Sequence, residues 1–287
     1  MKHFLIYTNI QKDKKLQTTE YIKKYLTERN QRVTVKVSEK GWLTRENGEE
    51  KYISEIPGDG DCMIVLGGDG TVLQAVRECE RCLVPIIGIN LGTLGYMTEI
   101  EPAGVEEALN QLIDSKYVKE SRMMLDGKVF FADGRTDSGW ALNDIVISRR
   151  GALHISTFNI YVNGQFLNSY DADGMIITTP TGSTGYNMSA GGPLVEPRAE
   201  LIVLTPICPH SLNQRSIVLS SEDCIEIEIP AGGESRNQNV EASFDGNFPI
   251  SLGEGDRVKI MKSGRKTEFI KINQVSFLET LRKKMSD

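Results

Sequence analysis

The sequence predicts a two-domain chain, an α/β N-terminal domain with a largely parallel sheet followed by a C-terminal β-rich domain. Three observations carry this reading. Up to about residue 118, short and continuously apolar runs alternate with stretches of helical periodicity, the pattern of a doubly wound layer. After Tyr117 the texture changes to short alternating runs broken by turn dipeptides. The 287 residues also exceed the usual single domain of about 100–150 residues.

Phe4-Leu5-Ile6-Tyr7 reads as the first strand, and a helix follows with Leu16, Ile22, Tyr25 and Leu26 on one face and lysines on the other. Val33, Val35 and Val37 alternate as a second strand. Cys62 to Leu66 form a third, too continuously apolar to be half exposed. Helical periodicity resumes at Val72, Leu73 and Val76, and Val84 to Ile89 predict another buried strand. That strand runs into Asn90-Leu91-Gly92-Thr93-Leu94-Gly95-Tyr96, a glycine-rich turn. Pro102 opens a helix carrying Leu109, Leu112 and Ile113, since its missing N–H costs nothing at a helix start. In the second part, Asn163-Gly164 between Phe158–Val162 and Gln165–Leu167 predicts a type I′ hairpin, whose two central residues need positive φ. Asp245-Gly246 predicts a second hairpin. Ile225-Glu226-Ile227-Glu228-Ile229 alternates as a strand with one wet face, and Phe277 to Lys284 reads as a closing helix.

A formal net charge of −6 gives no global attraction to nucleic acid or anionic lipid. No apolar run approaches the roughly 20 residues that span a bilayer. The apolar start, Met1 to Ile10, is soon interrupted by Lys12, Asp13, Lys14 and Lys15 and lacks a small-residue cleavage pattern, so a cytoplasmic protein is expected. Five scattered cysteines do not form a disulfide framework. Cys79 and Cys82 lie at i and i+3 of a predicted helix without a second matching pair. Cys208-Pro209-His210 would complete four ligands only by tertiary coincidence, so structural cysteines are expected and no metal ligand is assigned.

The most informative motif is Leu66-Gly67-Gly68-Asp69-Gly70-Thr71-Val72, where a buried strand reads into a glycine cage around one carboxylate. Glycines permit close backbone approach and positive φ, and the helix that follows offers free amides at the same point. Gly67, Gly68, Gly70 and Thr71 are therefore the candidate phosphate cradle. An anionic Asp69 beside phosphates must accept a proton, receive a ligand hydroxyl or share a cation. The plain alternative is that Asp69 only caps the helix. Ligands of open parallel sheets gather at the carboxyl ends of the strands, so both glycine turns are expected to face one crevice.

A second constellation starts at Asp171-Ala172-Asp173-Gly174 and continues after a buried strand as Thr178 to Pro193, rich in Gly, Ser and Thr. Hydroxyls, amides and carbonyls at close range suit the polar edges of adenine and ribose, although the same composition also fits a plain surface loop. Tyr186 adds an aromatic face or a phenol donor. Asn143-Asp144 forms a third polar group, with a simple turn as its alternative. The chain lacks a Gly-x-x-x-x-Gly-Lys-Ser/Thr loop, a Gly-x-Gly-x-x-Gly fingerprint, a Gly-x-Ser-x-Gly elbow and a His-Glu-x-x-His helix.

Taken in order, Gly67-Gly68-Asp69-Gly70-Thr71, Asn90 to Tyr96, Leu142-Asn143-Asp144, Asp173-Gly174 through Gly191-Gly192-Pro193, and Phe244-Asp245-Gly246-Asn247 resemble the NAD kinases. A lone Gly-Gly-Asp-Gly also occurs in lipid kinases and phosphofructokinases; the order of all five segments is specific. The resemblance implies an α/β domain of residues 1–118 to which a tail, 270–287, returns, and a β-rich dinucleotide-binding domain of residues 119–269. It implies phosphoryl transfer from ATP or polyphosphate to the 2′-hydroxyl of the adenosine ribose of NAD, in an interdomain cleft. It implies a divalent cation, Mg²⁺, bound with the phosphates.

Carried over residue by residue, Asp69 is the general base and Gly70 a phosphate or ribose neighbour. Asn143 and Asp144 hold adenosine edges and hydroxyls, and Asp173 the other end of the dinucleotide. Thr184, Gly185, Tyr186, Asn187, Met188 and Ser189 line the adenosine pocket, Asn247 is a polar nucleotide contact, and His154 falls where some relatives place a ligand-facing basic residue. A homodimer or homotetramer is implied, with no nucleic-acid or membrane partner. Two positions depart from the family pattern: Gly185 replaces a usual alanine, and Asp171 adds a negative charge that bears on donor or substrate preference. The competing readings are a lipid kinase, which needs a large apolar acceptor pocket, and a non-catalytic NAD(P) sensor.

Overall fold

The computed structural model describes residues 1–37, 41–46, 49–79, 84–93, 95–151, 155–210, 215–231, 239–272 and 275–286. The chain divides into two compact units, residues 1–121 with 267–287 and residues 122–266.

The first unit contains β1 (His3–Thr8), α1 (Gln17–Glu28), β2 (Arg32–Val37), β3 (Gly41–Glu46), β4 (Glu49–Ile53), β5 (Cys62–Gly67), α2 (Asp69–Glu78), β6 (Ile86–Asn90), β7 (Thr98–Ile100) and α3 (Val105–Ile113). Strands β6, β5, β1 and β2 lie side by side in parallel, Ile64 standing opposite Ile6 on one side and Ile87 on the other. β1, β5 and β6 are buried along their whole lengths. Such unbroken apolar runs are stable only when both sheet faces are covered. Ile22 and Leu26 of α1 and Leu109 and Leu112 of α3 cover one face, in one cluster with Phe4, Ile6, Ile64, Leu66 and Ile87, while α2, with Val72 and Val76 buried, packs against β5. Each such side chain contributes about 1.5–3 kcal/mol by leaving water.

Local details differ from the sequence pattern. Leu16 sits in a 3₁₀ turn ahead of α1, at φ 55°. α2 starts at Asp69, before the apolar periodicity begins. Pro102 opens a 3₁₀ turn, Pro102–Gly104, and the α-helix proper starts at Val105. The sequence does not signal the antiparallel pair β3 and β4, which extends β2 with Trp42 opposite Lys36 and Ile53. Its charged residues, such as Arg45, Glu46, Glu49, Glu50 and Lys51, hide an edge hairpin that needs no apolar run on both faces.

The second unit takes most of β8 (Val118–Phe130), then β9 (Thr136–Ala141), β10 (Asp144–Arg149), β11 (Ser156–Val162), β12 (Gln165–Ala172), β13 (Gly174–Thr178), α4 (Tyr186–Ser189), β14 (Leu201–Ile207), β15 (Ile217–Ser220), β16 (Ile225–Glu228), β17 (Val240–Phe244), β18 (Asn247–Leu252) and the greater part of β19 (Arg257–Lys271). One antiparallel sheet has the order β15-β14-β13-β10-β17-β18. β12, β11, β16 and β19 form a second antiparallel run, and β8 pairs with β9. Inward residues from these strands, among them Ile145, Ile147, Phe158, Ile160, Met175, Ile177, Ile227 and Val258, form a single core.

Both turn dipeptides adopt the conformation their chemistry favours, Asn163 and Gly164 at φ 51° and 79°, Asp245 and Gly246 at φ 50° and 71°. The fully buried Phe244 ring lies against Gly127 and Gly139, where a Cβ would come within 2.7–2.8 Å of it. That packing fixes the start of the Asp245 turn. The last residues of β19 belong to the first unit, with Phe269 opposite Ile86, and α5 (Phe277–Met285) ends the chain. Ser276 caps α5 by accepting from the Glu279 amide at 3.2 Å. Among the described residues no helix is long and apolar enough to cross a membrane.

Candidate active site

In the first unit, β5 delivers the chain to Gly67 and α2 begins two residues later. None of Gly67, Gly68 and Gly70 has positive φ, contrary to the expectation for a glycine cage. Clearance is what two of them supply: a Cβ on Gly67 would meet Thr71 Oγ1 at 2.3 Å, and one on Gly68 would meet a lysine ammonium, while Gly70 faces open space. Gly68 is the residue that caps α2, so the capping alternative for Asp69 is set aside. The Asp69 carboxylate instead turns to the second glycine-rich turn. It accepts from the Tyr96 amide at 2.8 Å, the Met97 amide at 3.0 Å and the Thr98 hydroxyl at 3.5 Å.

The two glycine turns expected to share a crevice thus meet at Asp69. Gly95 makes this possible, because a Cβ there would stand 2.1 Å from Asp69 Oδ1. Behind the turn, Phe277 of α5 packs on the Tyr96 ring at a centroid distance of 6.2 Å. The Asp69 charge together with burial raises the Tyr96 phenol above its ordinary range, burial being the larger cause.

The second unit repeats the device with another carboxylate. Asp245 accepts from three successive amides, Leu142 at 2.9 Å, Asn143 at 2.7 Å and Asp144 at 3.1 Å. Thr178 and Thr179 hydroxyls hold the Asn143 and Leu142 carbonyls at 3.0 and 2.6 Å. Asn143 is therefore rigid, and its buried Oδ1 has no partner among the described residues, which leaves an acceptor for a ligand N–H or O–H. Asp144 is buried, and its carboxyl is pushed up to about 7, first by burial and then by the Asp245 charge.

Asp173 is held by Arg149, whose Nε lies 2.7 Å from Oδ1. Tyr186 and Met188 are exposed on α4, followed by exposed Ser189, and half-buried Thr184 bonds the Thr181 carbonyl. Burial, and then the charges of Cys208, Asp173 and Asp144, raise the Tyr186 phenol, which brings these groups into one electrostatic neighbourhood. A Cβ on Gly185 would lie 3.3 Å from the Gly182 carbonyl, a tight approach, and 3.6 Å from Asn143 Nδ2, an ordinary contact.

Not every expected contact faces outward. Asn187 is fully buried and bonds the Ser183 and Pro193 carbonyls and the Thr205 hydroxyl, a staple for the loop rather than an open ligand group. Asn247 donates to the Asp245 carbonyl at 3.1 Å and so closes its own turn. Asp171 is exposed and accepts from Thr157 across β11 and β12. His154 and Cys82 lie outside the described residues, and Cys79 is buried against Met63. Among the described residues no group of three or more His, Cys, Asp or Glu side chains is placed to hold a metal ion. The grips of Tyr96, Met97 and Asp245 were not readable from sequence, since amides carry no residue signature and Asp245 lies some hundred positions from its partners.

An α/β unit with Gly-Gly-Asp-Gly between a parallel strand and a helix, joined in sequence to an antiparallel β-rich unit, fits the class that the sequence resembles, kinases acting on an alcohol group. Family comparison narrows this class. The ATP-NAD kinase N-terminal domain matches residues 4–117 and the ATP-NAD kinase C-terminal domain residues 142–272. The chain is 43% identical over 294 residues to the NAD kinase of Lachnospira eligens, covering 99% of this chain and all of that one. It is 44% identical over 290 residues to that of Agathobacter rectalis, covering 100% and 99%. An Archaeoglobus fulgidus NAD kinase structure in complex with ATP aligns at TM-score 0.75 and 26% identity, over 98% of this chain and 99% of that one. A yeast NADH kinase complexed with NADH aligns at TM-score 0.83 and 24% identity, over 100% and 88%, and shares the fold. The chain belongs to the NAD kinase family, the phosphotransferases that convert NAD to NADP. The lipid-kinase reading is thereby set aside.

Two outcomes are expected. Gly95→Ala will drive the Asp69 carboxylate off the Tyr96 and Met97 amides and lower NADP formation about tenfold or more, with the melting curve little changed; full activity would contradict the grip. The raised Asp144 pKa means the folded state holds a proton that the unfolded state releases near its ordinary pKa. Stability from this group is therefore greatest at acid pH and is lost as pH rises toward about 7. Asp144→Asn should raise the thermal midpoint by about 4 °C or more at pH 8, with the gain shrinking toward pH 4 in calorimetry.

Proposed function

We propose that the chain transfers the terminal phosphoryl group of ATP, or of polyphosphate, to the 2′-hydroxyl of the adenosine ribose of NAD, with Asp69 as general base. The observation that carries this reading is the orientation of Asp69. Its two oxygens each receive one backbone amide and retain lone pairs for a hydroxyl, at the head of α2 and beside Gly67, Gly68, Gly70 and Thr71. The archaeal relative's complex with ATP and the yeast relative's with NADH support the two substrate classes. The reading gives adenosine and ribose contacts to Asn143, Asp144, Thr184, Gly185, Tyr186, Met188 and Ser189, and the far end of the dinucleotide to Asp173. The orphaned Asn143 Oδ1 supports the first of these assignments. The role of Asp171 as a donor-tuning charge, and those of His154, Asn187 and Asn247 as contacts, rest on family resemblance alone. So does a homodimer or homotetramer, whereas a cytoplasmic location rests on the apolar and charge patterning of the sequence.

In the step, the 2′-oxygen attacks the terminal phosphorus, its proton passes to Asp69, and the bond to the bridging oxygen breaks, leaving ADP or a shortened polyphosphate. A carboxylate is a weak base, so it orients the hydroxyl and takes the proton late. General-base help of this kind contributes about 10²–10⁴-fold. Alignment and neutralisation of phosphate charge supply the rest. Among the described residues no cluster of acidic side chains is placed to hold an ion by itself, and the residues fit a divalent cation held mainly by phosphates and water rather than by a protein cage. Such an ion, when bound, neutralises charge on the transferring phosphates.

Asp69→Asn is expected to lower kcat by about 10²-fold or more while NAD affinity, read by titration calorimetry, stays within about threefold. Near-normal turnover would remove Asp69 as base. NAD binding without NADP formation by the wild-type chain, with either donor, would favour a sensor.

A further inference from the structure

A residue outside every motif above stands at the phosphate cradle. The Lys12 ammonium lies 2.9 Å from the point where a Gly68 Cβ would sit and 3.5 Å from the corresponding point on Gly92. It therefore occupies the space that Gly68 leaves free and stands at ordinary contact distance from Gly92 in the second turn. Among the described residues no hydrogen bond or ion pair engages it.

The turn that carries Lys12 is built rather than loose. The Asn9 amide donates to the Leu66 carbonyl at 3.0 Å, and the Lys12 and Asp13 amides donate to the Asn9 carbonyl at 3.0 and 2.9 Å. Asn9 Nδ2 reaches Thr71 Oγ1 at 3.2 Å, which ties the turn to the first residues of α2. Buried Asp13 accepts from the Thr18 and Thr19 amides at 3.0 and 2.8 Å and from the Thr19 hydroxyl at 2.6 Å. The Lys12 backbone is thus anchored on both sides while its side chain remains exposed to an incoming ligand.

Resting on the reading of Asp69 above, we propose that Lys12 is a donor-binding residue, placing its positive charge on the terminal phosphates of the phosphoryl donor. The chemistry calls for such a group. Transfer brings a polyanion beside Asp69, and charge on the leaving phosphate grows as the bond to the bridging oxygen breaks. An ammonium on a long stem, with three donors, follows that charge as a mobile point cation. ATP and inorganic polyphosphate share this chain of phosphates, and both are ligands of the proposed contact.

The test is steady-state NADP formation by wild type, Lys12→Gln and Lys12→Arg, with donor varied at saturating NAD and NAD varied at saturating donor, once with ATP and once with polyphosphate. Lys12→Gln should lower kcat/KM for the donor about tenfold or more and leave KM for NAD within about twofold, with Lys12→Arg recovering a large part. Loss in both donor series supports contact with phosphates common to both. Loss in one names that donor as the ligand. A donor kcat/KM within about threefold of wild type for Lys12→Gln, or a loss that falls equally on NAD, would overturn the assignment. Wild type forming no NADP with either donor would overturn the reading of Asp69, and Lys12 with it.

Discussion

The hydrogen bonds from the Tyr96 and Met97 amides to the Asp69 carboxylate are the interaction on which the rest of the site depends. They join the turn after β5 to the turn after β6, two neighbouring parallel strands, at their carboxyl ends. The sheet supplies the spacing, and missing side chains supply the room. Gly67 admits Thr71, and Gly95 admits the carboxylate itself. The head of α2 further favours an anion at Asp69 by its dipole. The acid is aimed mainly by two backbone amides, with the small Thr98 hydroxyl as a longer third contact, so it keeps its direction without a bulky supporting group that would obstruct a ligand.

The second unit solves a similar problem in the same way. Asp245, at positive φ in a hairpin turn and anchored by the buried Phe244 ring, gathers three amides of the segment that presents Asn143. The arrangement places Asp144 beside Asp245 in a buried setting and raises its pKa to about 7. A buried acid of this kind destabilises the fold at neutral pH, the cost of holding the Asn143 turn rigid.

Much of the architecture was legible because its signals are local. β1, β5 and β6 are continuously apolar, and an apolar run of that length has to be covered on both faces. Asn163-Gly164 and Asp245-Gly246 carry their turn type in their own backbone preferences. The edge pair β3 and β4 was hidden because charged edge strands resemble loops. Within the candidate site, the positive φ expected of Gly67, Gly68 and Gly70 is absent, while the close approach expected of them is seen at Gly67 and Gly68. The sequence could not separate Asn187, a buried staple, from its exposed neighbours Tyr186 and Met188, because a polar residue in a polar loop looks the same whichever way it faces. Lys12 gave no signal, since its neighbourhood forms only when β1 and β5 pair and bring Asn9 to Thr71.

The most direct test of the account is a crystal structure of the Asp69→Asn chain with NAD bound. The account predicts the adenosine ribose 2′-hydroxyl within about 3.2 Å of the residue 69 side chain, with that side chain still against the Tyr96 and Met97 backbone. A 2′-hydroxyl turned away from residue 69 and facing a different side chain would contradict it.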